Sequence, residues 1–221
     1  MTINEYKKET ILKLVNAIIA SLMLIVSASS FSKPIAESAE LVAPLLVGQE
    51  VPEVTTTTLE GKQVSLKSVL AGKPTVLFFY RGGWCPFCNV QMGQLQAIEK
   101  DLVDLGYQLI GVSTDSPADL QKSITKEALS YQLLSDFDSK MSQAFGLAFF
   151  TSQKVTDRYL DKLDLQNPLQ KNAAGEERLV LPAPAVYVID DEGLIHFQYV
   201  NPNFRVRLEP QLLLMAAKLA K

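Results

Sequence analysis

From Val47 onward, short apolar runs alternate along the chain with longer amphipathic stretches. EVTTTTLEGKQVSL, residues 53–66, reads as a strand, a turn at Glu60-Gly61 and a short second strand. PTVLFFY, residues 74–80, is a continuous apolar run, the pattern of a strand covered on both faces. In the stretch that follows, Val90, Leu95, Ile98, Leu102 and Leu105 recur at near-helical spacing, and Gly106 is placed to stop the helix. YQLIGVST, residues 107–114, predicts the next buried strand, and Asp115, Ser116 and Pro117 open another helix with a capping residue ahead of a first-turn proline. YQLLSD predicts a strand, DSKMSQAFG a short helix ending at Gly146, and residues 151–178 a helix followed by an exposed loop around Asn172 to Gly175. AVYVIDDEGLIHFQYV predicts two strands about a turn at Asp191 to Gly193, and a last helix runs from about Glu209 to Leu219. Strands alternating with helices, then a hairpin and a helix, predict an α/β fold: a central mixed sheet flanked by helices on both faces.

The first thirty residues follow a different pattern. A weakly basic start, with Lys7, Lys8 and Lys13 against Glu5 and Glu9, leads into the apolar run Leu14 to Val26 and then into Ser27, Ala28, Ser29 and Ser30. That is the order of a secretory signal, with a cleavage site at Val26-Ser27-Ala28. The run is shorter than the roughly 20 residues a membrane span needs, and Asn16 interrupts it. The expected organisation is a signal peptide over 1–28, a linker over 29–45 and one domain over 46–221, exported to the periplasm or secreted, with no stable membrane span once the signal is removed.

Composition narrows the chemistry. A chain of 221 residues with 48% hydrophobic positions buries a sufficient core without disulfide or metal staples. A net charge of −3 excludes an electrostatic nucleic-acid binder, which needs a basic face to displace counterions from phosphates. Only two cysteines and one histidine, His196, are present, too few for the four ligands of a structural zinc site, and no other cofactor is implied.

Both cysteines sit in YRGGWCPFCN, residues 80–89. Cys85 falls where the buried strand gives way to the helix, Pro86 suits the first helical position, and Cys88 lies one turn further in. Unpaired N–H groups and the positive end of the helix dipole favour a thiolate there. The i, i+3 spacing puts both sulfurs on one side of the first turn, so attack by one can be resolved by the other. Gly82 and Gly83 read as a loop cleared of side-chain bulk for an approaching oxidant. A purely structural disulfide closing so short a loop restrains the unfolded chain little, so a redox dithiol is favoured over a structural one. Arg81 is placed by sequence to offer positive charge to the thiolate, or to be a solvated loop residue. His196 reads as a partly exposed strand residue, Phe149 and Phe150 as core or as lining of the approach, and Asp190 and Asp191 as a turn.

VLFFYRGGWCPFC, LIGVSTDSP, LPAPAVYVIDDEGLIHFQYVNPNF and RLEPQLL together resemble the AhpC/TSA family, in the peroxiredoxin-like branch of the thioredoxin superfamily. The resemblance covers nearly everything from Val47 onward. It implies a thioredoxin-like fold and a thiol oxidoreductase acting on a hydroperoxide or a protein disulfide, with a thiol electron donor such as a thioredoxin-like protein. Two family patterns overlap here. The thioredoxin pattern, Trp before Cys-x-x-Cys, matches Trp84 and Cys85 and makes Cys85 the attacking thiol. The peroxiredoxin pattern, Pro-x-x-x-Thr-x-x-Cys, puts the peroxidatic position on Cys88, with Cys85 in the threonine position and Arg81 in the proline position. The family arginine before a later strand is replaced by Pro184, which instead resembles the cis-proline facing the dithiol in thioredoxin folds. Three readings stay open: a thiol peroxidase, a disulfide oxidoreductase, and a binding domain with a structural disulfide.

Overall fold

The computed structural model describes residues 33–220. The signal segment expected over 1–28 lies outside the described residues. In chain order the elements begin with β1 (Thr55–Thr57), β2 (Gln63–Ser65), α1 (Leu66–Leu70), β3 (Thr75–Phe79), α2 (Pro86–Asp104) and β4 (Gln108–Ser113). They continue with α3 (Pro117–Glu127), β5 (Gln132–Ser135), α4 (Lys140–Ala144), β6 (Ala148–Phe150) and α5 (Gln153–Leu163). The last are β7 (Gln170–Lys171), β8 (Glu177–Arg178), β9 (Val180–Pro182), β10 (Ala185–Ile189), β11 (Ile195–Val200) and α6 (Pro210–Leu219).

Seven strands form one mixed sheet in the order β11-β10-β3-β4-β5-β1-β2. β3, β4 and β5 run parallel and the other pairings are antiparallel. The parallel strands are joined through α2 and α3, as parallel neighbours require. The apolar run of β3 is covered on both sides, as its unbroken hydrophobicity predicts. Val76 and Phe78 pack with Met92, Leu95 and Leu102 of α2, Leu120 of α3, and Leu213 and Ala217 of α6. Leu77 and Phe79 pack on the opposite face with Leu66 and Leu70 of α1 and Met141 and Phe145 around α4. Full burial of each such side chain contributes about 1.5–3 kcal/mol. The expected central mixed sheet with helices on both faces is therefore the observed architecture.

The start of α3 is as expected: Ser116 caps it ahead of Pro117, its hydroxyl accepting from the backbone N–H of Asp119. The exposed loop expected around Asn172 to Gly175 is present, as the tip of a small hairpin in which β7 pairs with β8. The described part of the expected linker is pinned to the domain. Ala36 bridges Phe149, Ala43 N–H donates to the Gly146 carbonyl, Leu45 N–H donates to the Phe145 carbonyl, and the Leu45 side chain is buried. Main-chain pairing and a single apolar side chain hold this segment, so it carries no hydrophobic period for the sequence to display. No helix among the described residues is long and apolar enough to cross a membrane.

Candidate active site

The route from β3 into α2 builds the site. Leaving the sheet at Phe79, the chain turns through residues 80–84, and Cys85 occupies the N-cap of α2 in extended conformation with Pro86 at the first helical position. The Cys85 carbonyl accepts from the N–H groups of Cys88 (3.0 Å) and Asn89 (3.1 Å), while the Asn89 side-chain amide donates to the Gly83 carbonyl at 3.0 Å. Both cysteines are free thiols, 2% exposed at Cys85 and fully buried at Cys88.

The glycines have a different purpose from the one the sequence implied. Gly82 adopts φ +147°, and a Cβ there would lie 2.3 Å from Trp84 Nε1 and 2.6 Å from an Asp115 carboxylate oxygen. At Gly83 a Cβ would lie 2.1 Å from Ser123 Oγ. The space is filled by the protein itself: the glycines let the loop press onto Trp84, Asp115 and Ser123, and they clear no path for a substrate.

Charge is divided unequally between the two sulfurs. The Cys88 thiol hydrogen-bonds to the Cys85 sulfur, and this bond, with the Cys88 backbone N–H and the positive charges of Arg81 and Arg207, lowers the Cys85 pKa to about 6 against the opposing effect of burial. Cys88 moves the other way: burial raises its pKa, and donating to Cys85 and facing its negative charge raise it further. The resting pair is a Cys85 thiolate held by a Cys88 thiol.

Arg81 is 4% exposed, so the solvated-loop alternative does not hold. Its guanidinium carbon lies 4.1 Å from the Phe204 ring centre, 5.1 Å from that of Trp84 and 5.4 Å from that of Tyr159, and its Nη2 donates to the Tyr159 hydroxyl at 2.6 Å. Trp84 packs on Tyr159 with ring centres 5.0 Å apart. Arg207, three residues before α6, donates from Nη2 to Cys88 Sγ at 3.4 Å. Asp115 accepts from the Gly83 N–H at 2.7 Å and from Ser113 Oγ at 3.1 Å, and burial raises its pKa to about 6. A cavity of about 530 Å³ reaches this loop from the side of Trp84, Asp115, Ser123 and Asn167; neither cysteine lines it.

The other candidates fall away from the dithiol. Pro184 is at the correct end of the sheet, because Ala185 pairs with Phe79. All described peptide bonds are trans, however, and the Pro184 carbonyl already accepts from Asn201 N–H at 3.1 Å. Pro184 therefore lacks the cis bond of the proline it resembles. His196 is at the far end: it follows Ile195, which pairs with Ile189, which pairs in turn with Thr75 at the start of β3. There His196 Nε2 meets Asp190 Oδ2 at 2.7 Å. Phe150 packs in a small separate cluster with Ala148 and Val180, away from the approach. Tyr159, Phe204, Arg207 and the role of Asp115 were not legible, since each reaches the dithiol from a distant element. Only Asp115 left a signal, as an acidic residue ending a buried strand.

The fold sets two free thiols at a strand-to-helix junction, and the chain belongs to the AhpC/TSA family, whose model matches residues 47–198. It is similar to the putative peroxiredoxin bcp of Haemophilus influenzae, at 36% identity over 104 residues covering 47% of this chain and 66% of that protein. It thus spans just under two thirds of that relative's length. Over a longer stretch it is 30% identical to the putative peroxiredoxin bcp of Coxiella burnetii, covering 67% of this chain and 84% of that one. Among solved structures, peroxidoxin BcpB of Mycobacterium tuberculosis superposes with a TM-score of 0.60 at 18% identity, over 79% of this chain and 97% of that one. The thioredoxin-like fold that the resemblance implied is thereby the fold of this chain.

Proposed function

We propose that the protein is an exported thiol-dependent peroxidase, reducing hydroperoxides through a Cys85/Cys88 dithiol–disulfide cycle in which Cys85 attacks and Cys88 resolves. The observation that carries the order is the division of charge: Cys85 is the sulfur with the lowered pKa and Cys88 the buried, protonated one. The family membership and the peroxiredoxin relatives support the hydroperoxide as substrate. The Cys85 thiolate attacks the outer peroxide oxygen, the O–O bond breaks, and the departing alkoxide takes a proton to leave as alcohol. Cys85 is then a sulfenic acid. The Cys88 thiolate attacks the Cys85 sulfur, the S–O bond breaks, hydroxide leaves, and a disulfide closes. A thiol donor such as a thioredoxin-like protein returns the pair to the dithiol. Export rests on the leader of the sequence alone.

A second reading, disulfide exchange on proteins, is favoured by the same leading Cys85 and by Trp84 before it. The two are separated by mixing reduced protein with hydrogen peroxide, with an organic hydroperoxide and with an oxidised protein disulfide. Trp84, the only tryptophan, reports the reaction through its fluorescence. The peroxidase reading requires reaction with peroxide faster than a free thiol of pKa about 6 achieves. Fast reaction with the disulfide and only free-thiol rates with both peroxides would establish the exchanger.

A further inference from the structure

We infer that Arg207 is a catalytic residue of the resolving half of the cycle, its guanidinium holding the Cys88 thiolate that must form before the disulfide closes. This rests on the order of attack proposed above. The difficulty for that order is Cys88 itself: the thiolate is the nucleophile, yet Cys88 is fully buried, where an unpaired charge is costly. Arg207 is the group that answers it. Nη2 already touches Cys88 Sγ at 3.4 Å, and Nε and Nη1 are enclosed with no hydrogen-bond partner. No carboxylate among the described residues forms an ion pair with Arg207. A guanidinium keeps its charge throughout. Placed against a neutral thiol with donors unspent, it is matched to the thiolate that follows, the arrangement that lowers a barrier when charge develops.

The order of events follows from the same contacts. Before oxidation, the negative charge on Cys85 opposes a second one on Cys88. Once Cys85 is a neutral sulfenic acid that repulsion is gone, and Arg207 remains as the positive charge against Cys88. The proton released by Cys88 goes to the alkoxide leaving in the first step, or to solvent if that alkoxide has already been protonated. Oxidation of Cys85 therefore turns on the nucleophile that resolves it. Position is secured by Leu208, buried in the core cluster that α2 and α6 share. Arg81 does not duplicate this role: its Nη2 donates to Tyr159, and its charge bears on Cys85, whereas Arg207 is the guanidinium in contact with Cys88 Sγ.

The test compares Arg207→Met and Arg207→Lys, each in the otherwise native chain and in a Cys88→Ser background, by rapid mixing with hydrogen peroxide from pH 5 to 9. Cys85 sulfenic acid is trapped by dimedone and disulfide closure is followed by mass. In Arg207→Met closure is expected to slow about tenfold for each unit by which the Cys88 pKa rises, with its pH profile displaced upward. Sulfenic acid formation should slow far less, so the sulfenic acid accumulates and over-oxidises to sulfinic acid at excess peroxide. Arg207→Lys should recover part of the closure rate. An unchanged closure rate and pH profile in folded Arg207→Met overturns the inference. So does an equal loss in both steps that Lys does not relieve, the mark of a merely structural role. The Cys88→Ser background tests the underlying order separately: no sulfenic acid on Cys85 there would refute Cys85 as the attacking thiol whatever Arg207 does.

Discussion

Cys85 carries its charge because four groups bear on one sulfur: the Cys88 thiol, the Cys88 backbone N–H, Arg81 and Arg207. The local part of this was legible in YRGGWCPFCN, since the strand before it and Pro86 after it place Cys85 at a helix N-cap. The distant part was not, because nothing in a linear pattern brings Arg207 to Cys88 or Tyr159 and Phe204 around Arg81. The glycines show a subtler limit: their small size was legible, but what fills the space beside them was not. Asp115 makes a prediction at this scale. Its carboxylate and the Cys85 thiolate repel one another, and burial raises its own pKa to about 6. At and above that pH the charged Asp115 holds the thiolate back, so Asp115→Asn should lower the Cys85 pKa. Thiolate absorbance near 240 nm, followed against pH, should rise through about 6 in the native protein and at lower pH in the variant. Peroxide reactivity should follow the same curves, increasing with pH as thiol becomes thiolate.

At the scale of elements, strong periods predicted well and weak ones poorly. β3 and α2, which launch and carry the dithiol, were legible because an unbroken apolar run and a near-helical spacing each have one economical solution. The short pair β6 and β9 and the pinned segment before Val47 were not, since backbone pairing with a distant partner leaves no signature in the local pattern. α4 illustrates how a short helix is fixed from outside itself. Asp136, fully enclosed at the end of β5, accepts from Met141 N–H at 2.7 Å, Ser142 N–H at 2.8 Å and Ser142 Oγ at 2.5 Å. Helix N-terminal N–H groups otherwise lack partners. Asp136→Ala leaves those donors buried and unpaired, which costs about 1–3 kcal/mol for such a group. Chemical denaturation should show that loss as a lower midpoint with an unchanged slope. An unaltered midpoint would mean that α4 does not depend on this cap.

For the molecule as a whole, the sheet order places the ends of β3 and β10 beside one another, so the dithiol, Pro184 and the segment leading to Arg207 gather at one end while His196 and Asp190 occupy the other. The alternation of strands and helices was enough to predict this architecture, and the resemblance was enough to predict the family. What neither decided was the order of the two sulfurs, because the thioredoxin and peroxiredoxin patterns share the stretch and disagree. If Cys85 attacks and Cys88 resolves, Cys85 is the residue that first takes up oxygen. Reduced Cys88→Ser and Cys85→Ser proteins are each mixed with one equivalent of hydrogen peroxide, trapped with dimedone at increasing times and mapped by peptide mass. Rapid adduct formation is expected on Cys85 in Cys88→Ser and slow formation on Cys88 in Cys85→Ser. Rapid adduct on Cys88 with little on Cys85 would contradict this order and restore the one implied by the peroxiredoxin register.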